Sequence, residues 1–165
     1  MFNKPHIDNI LFATDLSENA NRALGYAVSL AHAYAARVTI LHVVEKLPPN
    51  AELLLVSYLG YRDLDELRQK NEAEIIRRIE GRIKWFCAET IQQVPECRFM
   101  LHEVIAEPGK AAERILHHVG TGVYDILVIG TRGHGVVQDA LMGGTSRRVV
   151  RESPIPVFTI PVVSG

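Results

Sequence analysis

The sequence predicts an α/β fold: a doubly wound, mostly parallel five-stranded sheet with helices on both faces. Three observations carry this expectation. Short apolar runs recur along the chain, stretches with helical spacing separate them, and the order alternates strand with helix almost to the end, the pattern of a parallel sheet with helical crossovers. A chain of 165 residues is long enough to close one hydrophobic core without metals or crosslinks, so residues 1–165 are expected to form one domain.

The elements follow in order. NILFAT (9–14) is nearly continuous in apolar character and suits a strand covered on both faces. Ser17 offers an N-cap for a helix with Ala20, Ala23, Leu24, Ala27, Leu30, Ala31 and Tyr34 at three- and four-residue steps. VTILHVV (38–44) is the second strand. The stretch EKLPPNAELLLVSYLGYR (45–62) is long for a turn and apolar for a loop; it reads as a lid, an added contact surface, or a short helix over a sheet edge. The longest helical pattern runs from Arg62 to Gln92, with Leu64, Leu67, Ile75, Ile79, Ile83 and Phe86 on one stripe. CRFMLHEVI (97–105) is mixed, as an edge strand would be. Pro108 suits the first position of a helix carrying Ala111, Ala112, Ile115 and Leu116. DILVIG (125–130) is a buried strand, a helix from Gly144 to Glu152 is ended by Pro154 and Pro156, and VFTI (157–160) closes the sheet with both faces covered.

Composition removes several functions. A formal net charge of -1 gives no basic footprint for nucleic acid, and no run reaches the ~18 apolar residues of a membrane span. MFNKPHID carries no apolar signal segment, and Cys87 and Cys97 form no CxxC pair, so a cytoplasmic protein in a reducing compartment is expected. GxxxxGK followed by Ser or Thr, a GxGxxG after the first strand, GxSxG and HxxxH are all absent. His42 and His102 sit within strands, where a hydrogen-bonded histidine is the common case, and the adjacent His117 and His118 cannot chelate together on a helix.

In a doubly wound sheet ligands bind beyond the carboxyl ends of the strands, so the loops there are the places to search. GTRGHGVVQDALMGGTS (130–146) is the richest. Gly130, Gly133 and Gly135 allow a tight turn whose amides can face an anion, and His134 sits among them. Gly143 and Gly144 stand where a helix begins, with Thr145 and Ser146 as hydroxyl donors and Arg132 as a cation. Spacing alone leaves open a phosphate cradle or a structural glycine loop ending in a helix cap. Asp15, after the first strand, could accept from a ribose, hold a metal, or help Ser17 cap the next helix.

Together these segments resemble the universal stress protein family. GTRGHGVVQDALMGG matches its nucleotide loop, GxxG, nine residues, then Gly; ILFATDLSENANRAL, VTILHVVE, YDILVIGTRGHG and SPIPVFTIPV resemble its first strand and helix, second strand, fourth strand and last strand. The resemblance implies a cytoplasmic homodimer, paired through the C-terminal strand, that binds ATP or AMP, with or without Mg, and acts in the stress response. It implies that Asp15 and the backbone of Ala13 and Thr14 meet ribose or adenine, and that the backbone of Val43 holds adenine. Gly130, Arg132, Gly133, Gly143, Gly144, Thr145 and Ser146 would surround ribose and phosphates. One position departs: Gly144 stands where the family has Ser or Thr. The missing hydroxyl is worth roughly 1.5–3 kcal/mol against a charged phosphate, so no preference for a triphosphate is expected. Efficient catalysis is not expected either. The alternatives are a nucleotide-independent dimeric adaptor of the same fold, acting through an unspecified protein partner, and a slow ATP hydrolase using Asp15 with a divalent metal.

Overall fold

The computed structural model describes residues 3–45, 49–93, 100–132 and 142–162. Along the chain run β1 (Asn9–Thr14), α1 (Glu18–Tyr34), β2 (Arg37–Val44), α2 (Pro49–Leu59), α3 (Leu64–Arg68), α4 (Glu72–Gln93), β3 (Leu101–Pro108), α5 (Ala111–Val119), β4 (Ile126–Gly130), α6 (Gly144–Glu152) and β5 (Val157–Ile160). The strands form a five-stranded sheet in the order β3-β2-β1-β4-β5, and every neighbouring pair is parallel.

β1 alternates between two cores. Ile10 and Phe12 join Ala23, Ala27 and Ala31 of α1 and Ile79 and Ile83 of α4 on one face. Leu11 and Ala13 join Ile115 and Val119 of α5 and Val149 of α6 on the other. The fold is doubly wound, as expected. The three alanines recur at four-residue steps and are wholly buried, so α1 meets the sheet through its smallest side chains. Tyr34, placed on the same stripe by spacing, is instead exposed at the helix end.

Other expectations need correction. The pattern over 62–92 is two helices, because two local caps interrupt it. Asp63 accepts from Glu66 N at 2.8 Å while Glu66 accepts from Arg62 N, starting α3; Asn71 accepts from Glu74 N, starting α4. The stripe of α4 continues from Ile79 and Ile83 to the buried Cys87, and Phe86 lies beside it, partly exposed. Within 45–62 the short-helix reading holds: α2 contributes Val56 and Leu59 to the core, followed by Tyr61.

Pro108 does not begin α5. It is the last residue of β3, paired with Val44, and an edge strand tolerates a residue that cannot donate. Gly109 then turns the chain at φ 145°, and α5 starts after Lys110. The expected start of β3 at Cys97 lies outside the described residues; its edge position is as anticipated. β1 and β4 are covered on both faces, but β5 is not: it is the opposite edge, and Phe158 is partly exposed beside Tyr26. Cys87 is buried in α4, and Cys97 lies outside the described residues.

β3 is fastened to α5 by one carboxylate. Glu107, opposite Val43 in the sheet register, accepts from Arg114 Nε and Nη2, both at 2.9 Å, and from His118 Nε2 at 2.8 Å. The Arg114 guanidinium, aided by His118, holds the Glu107 carboxyl below the usual carboxylate range despite its partial burial. A carboxyl depressed in the folded state stabilises above its unfolded pKa, and that stability is lost as pH falls through the folded value.

Two measurements follow from this packing. Ile79 is 1% exposed, and Ile79→Ala should lower the unfolding free energy by roughly 2–5 kcal/mol in urea titrations. Glu107→Gln should cost about 1 kcal/mol near pH 7, and its difference from the parent chain should shrink as the pH is brought below about 4. A cost independent of pH would mean that the pairing of charges is not what Glu107 contributes.

Candidate functional site

From β1 the chain moves outward to β2 and β3, then returns to the other side of β1 as β4 and β5. The connections after β1 and β4 therefore leave the sheet in opposite directions, and a crevice opens between them at the carboxyl ends. A cavity of about 310 Å³ occupies it. That volume is at the small end of ligand sites, which span roughly 300–1,000 Å³. Ala13, Thr14 and Asp15 line it from the end of β1 and the turn after it, Val43 from β2, Gly130 and Arg132 from the end of β4 and just beyond it, and Gly143, Gly144, Thr145 and Ser146 from the start of α6. Residues distant in sequence, and singled out there, thus meet in one place. Gly133, with His134 and Gly135, lies outside the described residues.

The first wall is built by the turn after β1. Asp15 Oδ1 accepts from Ser17 N at 3.0 Å and from Ser17 Oγ at 2.6 Å, and Leu16 N donates to Thr14 Oγ1 at 3.1 Å. Leu16 is held at φ 64°, a left-handed conformation that costs a non-glycine residue roughly 1–2 kcal/mol. These bonds fix the Asp15 carboxylate at the crevice. Ser17 occupies the N-cap position of α1, but its hydroxyl serves Asp15 and makes no cap bond. The N-cap position expected for Ser17 is thus observed, without the side-chain cap bond.

The opposite wall is the start of α6, which begins at Gly144 as expected. Gly143 N donates to Thr131 O at 2.7 Å, and Thr131 N donates to Ile160 O, so the end of β4 is tied to α6 and to β5. Ser146 is buried, and its hydroxyl donates to Gly130 O at 2.7 Å. Its proton is committed to the scaffold. Arg147 N closes the first turn on Gly143 O, and the amides of Gly144, Thr145 and Ser146 precede any intrahelical acceptor. With the positive end of the helix dipole they offer donors to an anion, and Arg132 adds a cation on the same side.

Between these walls the floor is apolar: Leu41, Val43, Ile115 and Ile129 line it, with Leu55 and Ile79 from the other core. Two further residues contribute polar atoms that sequence reasoning did not assign to a site. His42 Nδ1 donates to Thr14 O at 2.9 Å, joining the ends of β2 and β1. Glu45 Oε1 accepts from Ala111 N at 2.6 Å and so caps α5 from outside. The signal for Glu45 was available: Lys110 stands at the N-cap position and cannot accept a bond. Among the described residues no group of three His, Cys, Asp or Glu side chains is placed to hold a metal ion. No helix there is long and apolar enough to cross a membrane.

Chemically, the crevice offers helix-start amides, a guanidinium, a carboxylate and an apolar floor. Residues 6–161 match the Universal stress protein family. A universal stress protein of Thermus aquaticus is 31% identical over 153 residues, covering 92% of this chain and 96% of that one. The structure of UspA from Lactobacillus plantarum has a TM-score of 0.68 at 22% identity, covering 95% of this chain and 99% of that chain. That of MJ0577, a universal stress protein of Methanocaldococcus jannaschii, also has 0.68, at 20% identity and 98% and 100% coverage. The family match over nearly the whole length, together with the Thermus relative, establishes that the chain belongs to the universal stress protein family.

Proposed function

We propose that this universal stress protein binds an adenine nucleotide, ATP or AMP, in the crevice between β1 and β4, and acts in the stress response as a cytoplasmic homodimer formed by a single domain over residues 1–165. The observation that carries the reading is the convergence of Asp15, Val43, Arg132 and the Gly143–Ser146 helix start on one cavity. Adenine would lie on the apolar floor against the Val43 backbone, the ribose hydroxyls would donate to Asp15, and the phosphates would take the α6 amides and Arg132. Magnesium, where present, would be held chiefly by phosphates and waters. Two proteins of this fold lend support: one universal stress protein was solved in complex with cAMP (TM-score 0.53, 18% identity) and one from Archaeoglobus fulgidus in complex with dAMP (0.55, 15%). The dimer would form through β5, an edge strand whose Phe158 is partly exposed.

Calorimetry with ATP, ADP and AMP decides the binding claim; saturable heat is expected, and neither heat nor a thermal shift at millimolar nucleotide would sink it. A Cβ at Gly144 would meet open space, and Gly144 is the first residue of α6. Gly144→Ser should therefore fold normally and tighten ATP by roughly tenfold while leaving AMP nearly unchanged. Equal tightening of both would place the new hydroxyl away from the distal phosphates. For the dimer, sedimentation at micromolar concentration should give twice the chain mass, and Phe158→Glu should yield a folded monomer.

A further inference from the structure

A second cavity of about 180 Å³ lies on the other side of the β1 turn, between α1, α2 and α4. It is close to the roughly 150 Å³ that accommodates a benzene ring. Its walls are mostly rings and aliphatic carbons: Phe12, Leu24, Tyr58, Trp85 and Phe86 line it. Trp85 is 52% exposed, so the aromatic lining reaches the surface. One cation stands in this apolar setting. The guanidinium of Arg82 lines the cavity and sits 5.6 Å from the Tyr58 ring centre and 5.3 Å from that of Trp85. Arg78, four residues earlier, donates to Leu59 O and stacks on Tyr61, whereas among the described residues no carboxylate pairs with Arg82. Rings hold a guanidinium by its faces and leave its N–H edge available, the edge that matches a carboxylate in two parallel bonds.

The cavity also shares a wall with the crevice. Thr14 and Ala20 line both, and the turn between them presents Asp15 to the crevice and Leu16 to the apolar cavity. Anything that moves Leu16 must act on Asp15, because Thr14 Oγ1 and Ser17 hold the turn as one hydrogen-bonded unit.

We infer that this cavity is a second ligand site, for a small aromatic monocarboxylate whose ring enters among Phe12, Tyr58 and Phe86 and whose carboxylate pairs with Arg82, and that its occupancy is coupled to the crevice through the Thr14–Ser17 turn. The coupling rests on the nucleotide reading above; the site itself does not.

Trp85 is the sole tryptophan of the chain, so its fluorescence reports on this cavity. Titration with phenylacetate, without nucleotide, should give a saturable change, with benzyl alcohol and benzylamine roughly tenfold weaker or worse. Arg82→Gln should weaken phenylacetate about tenfold while the protein stays folded, the urea midpoint falling only slightly because Arg82 is exposed. No saturable change up to about 10 mM, a weak range even for single-ring ligands, would remove the site. Equal affinity for the alcohol, or full affinity in Arg82→Gln, would remove the carboxylate assignment. Saturating phenylacetate should also shift AMP affinity at least threefold, with the same factor appearing in reverse. An unchanged AMP affinity would overturn the coupling. If AMP gives no heat at all while Trp85 still titrates, the nucleotide reading falls and the second site stands.

Discussion

β1 lies at the centre of the sheet, hydrogen-bonded to β2 on one side and to β4 on the other, and both neighbours run parallel to it. Its carboxyl end lies at the switch point of the sheet, since the chain leaves toward β2 and comes back on the far side. The apolar side chains of β1, divided between two cores, keep the strand from shifting: a slip of one residue would exchange Ile10 and Phe12 with Leu11 and Ala13. The position of Asp15, directly beyond the strand, inherits that rigidity. So does Gly130 at the end of β4, because its chain neighbour Ile129 pairs with Ala13 and fixes the register across the crevice.

Three side-chain hydroxyls near the crevice are used inwardly. Thr14 Oγ1 holds Leu16 in its left-handed conformation, Ser17 Oγ holds Asp15, and Ser146 Oγ holds Gly130. The polar groups that line the space include a carboxylate, a guanidinium and the amides of a helix start. Such groups need little reorientation, because the backbone or a fixed turn already aims them. Glu45 and Glu107 extend the same economy outward, one tying β2 to the start of α5 and the other tying β3 to its middle.

Much of this was legible in the residues. The strand order within the chain, the alanine stripe of α1, the bounds of α6 and the convergence of Asp15 with Gly130, Gly143 and Gly144 all follow from apolar spacing, helix punctuation and the geometry of parallel sheets. What was missed has local causes. The break between α3 and α4 is written in Asp63-x-x-Glu66 and Asn71-x-x-Glu74, but the hydrophobic period ran across both and outweighed them. Pro108 was placed in a helix because its fixed φ fits one, while the edge position that lets it end a strand appears only once the sheet is assembled. Pairings such as His42 with Thr14 or Arg82 with Tyr58 join residues from separate elements, and no spacing rule in one sequence reaches them.

The hydroxyl of Ser17 has a consequence for how this protein can be made more robust. At the head of a seventeen-residue helix it is the natural place to gain stability by improving the cap, and the usual replacement is aspartate. Here an aspartate would set a second negative charge against Asp15 and withdraw the bond that aims it. The helix begins less firmly than it could so that the neighbouring carboxylate is held in place, and selection for heat resistance at this residue would work against selection for the crevice.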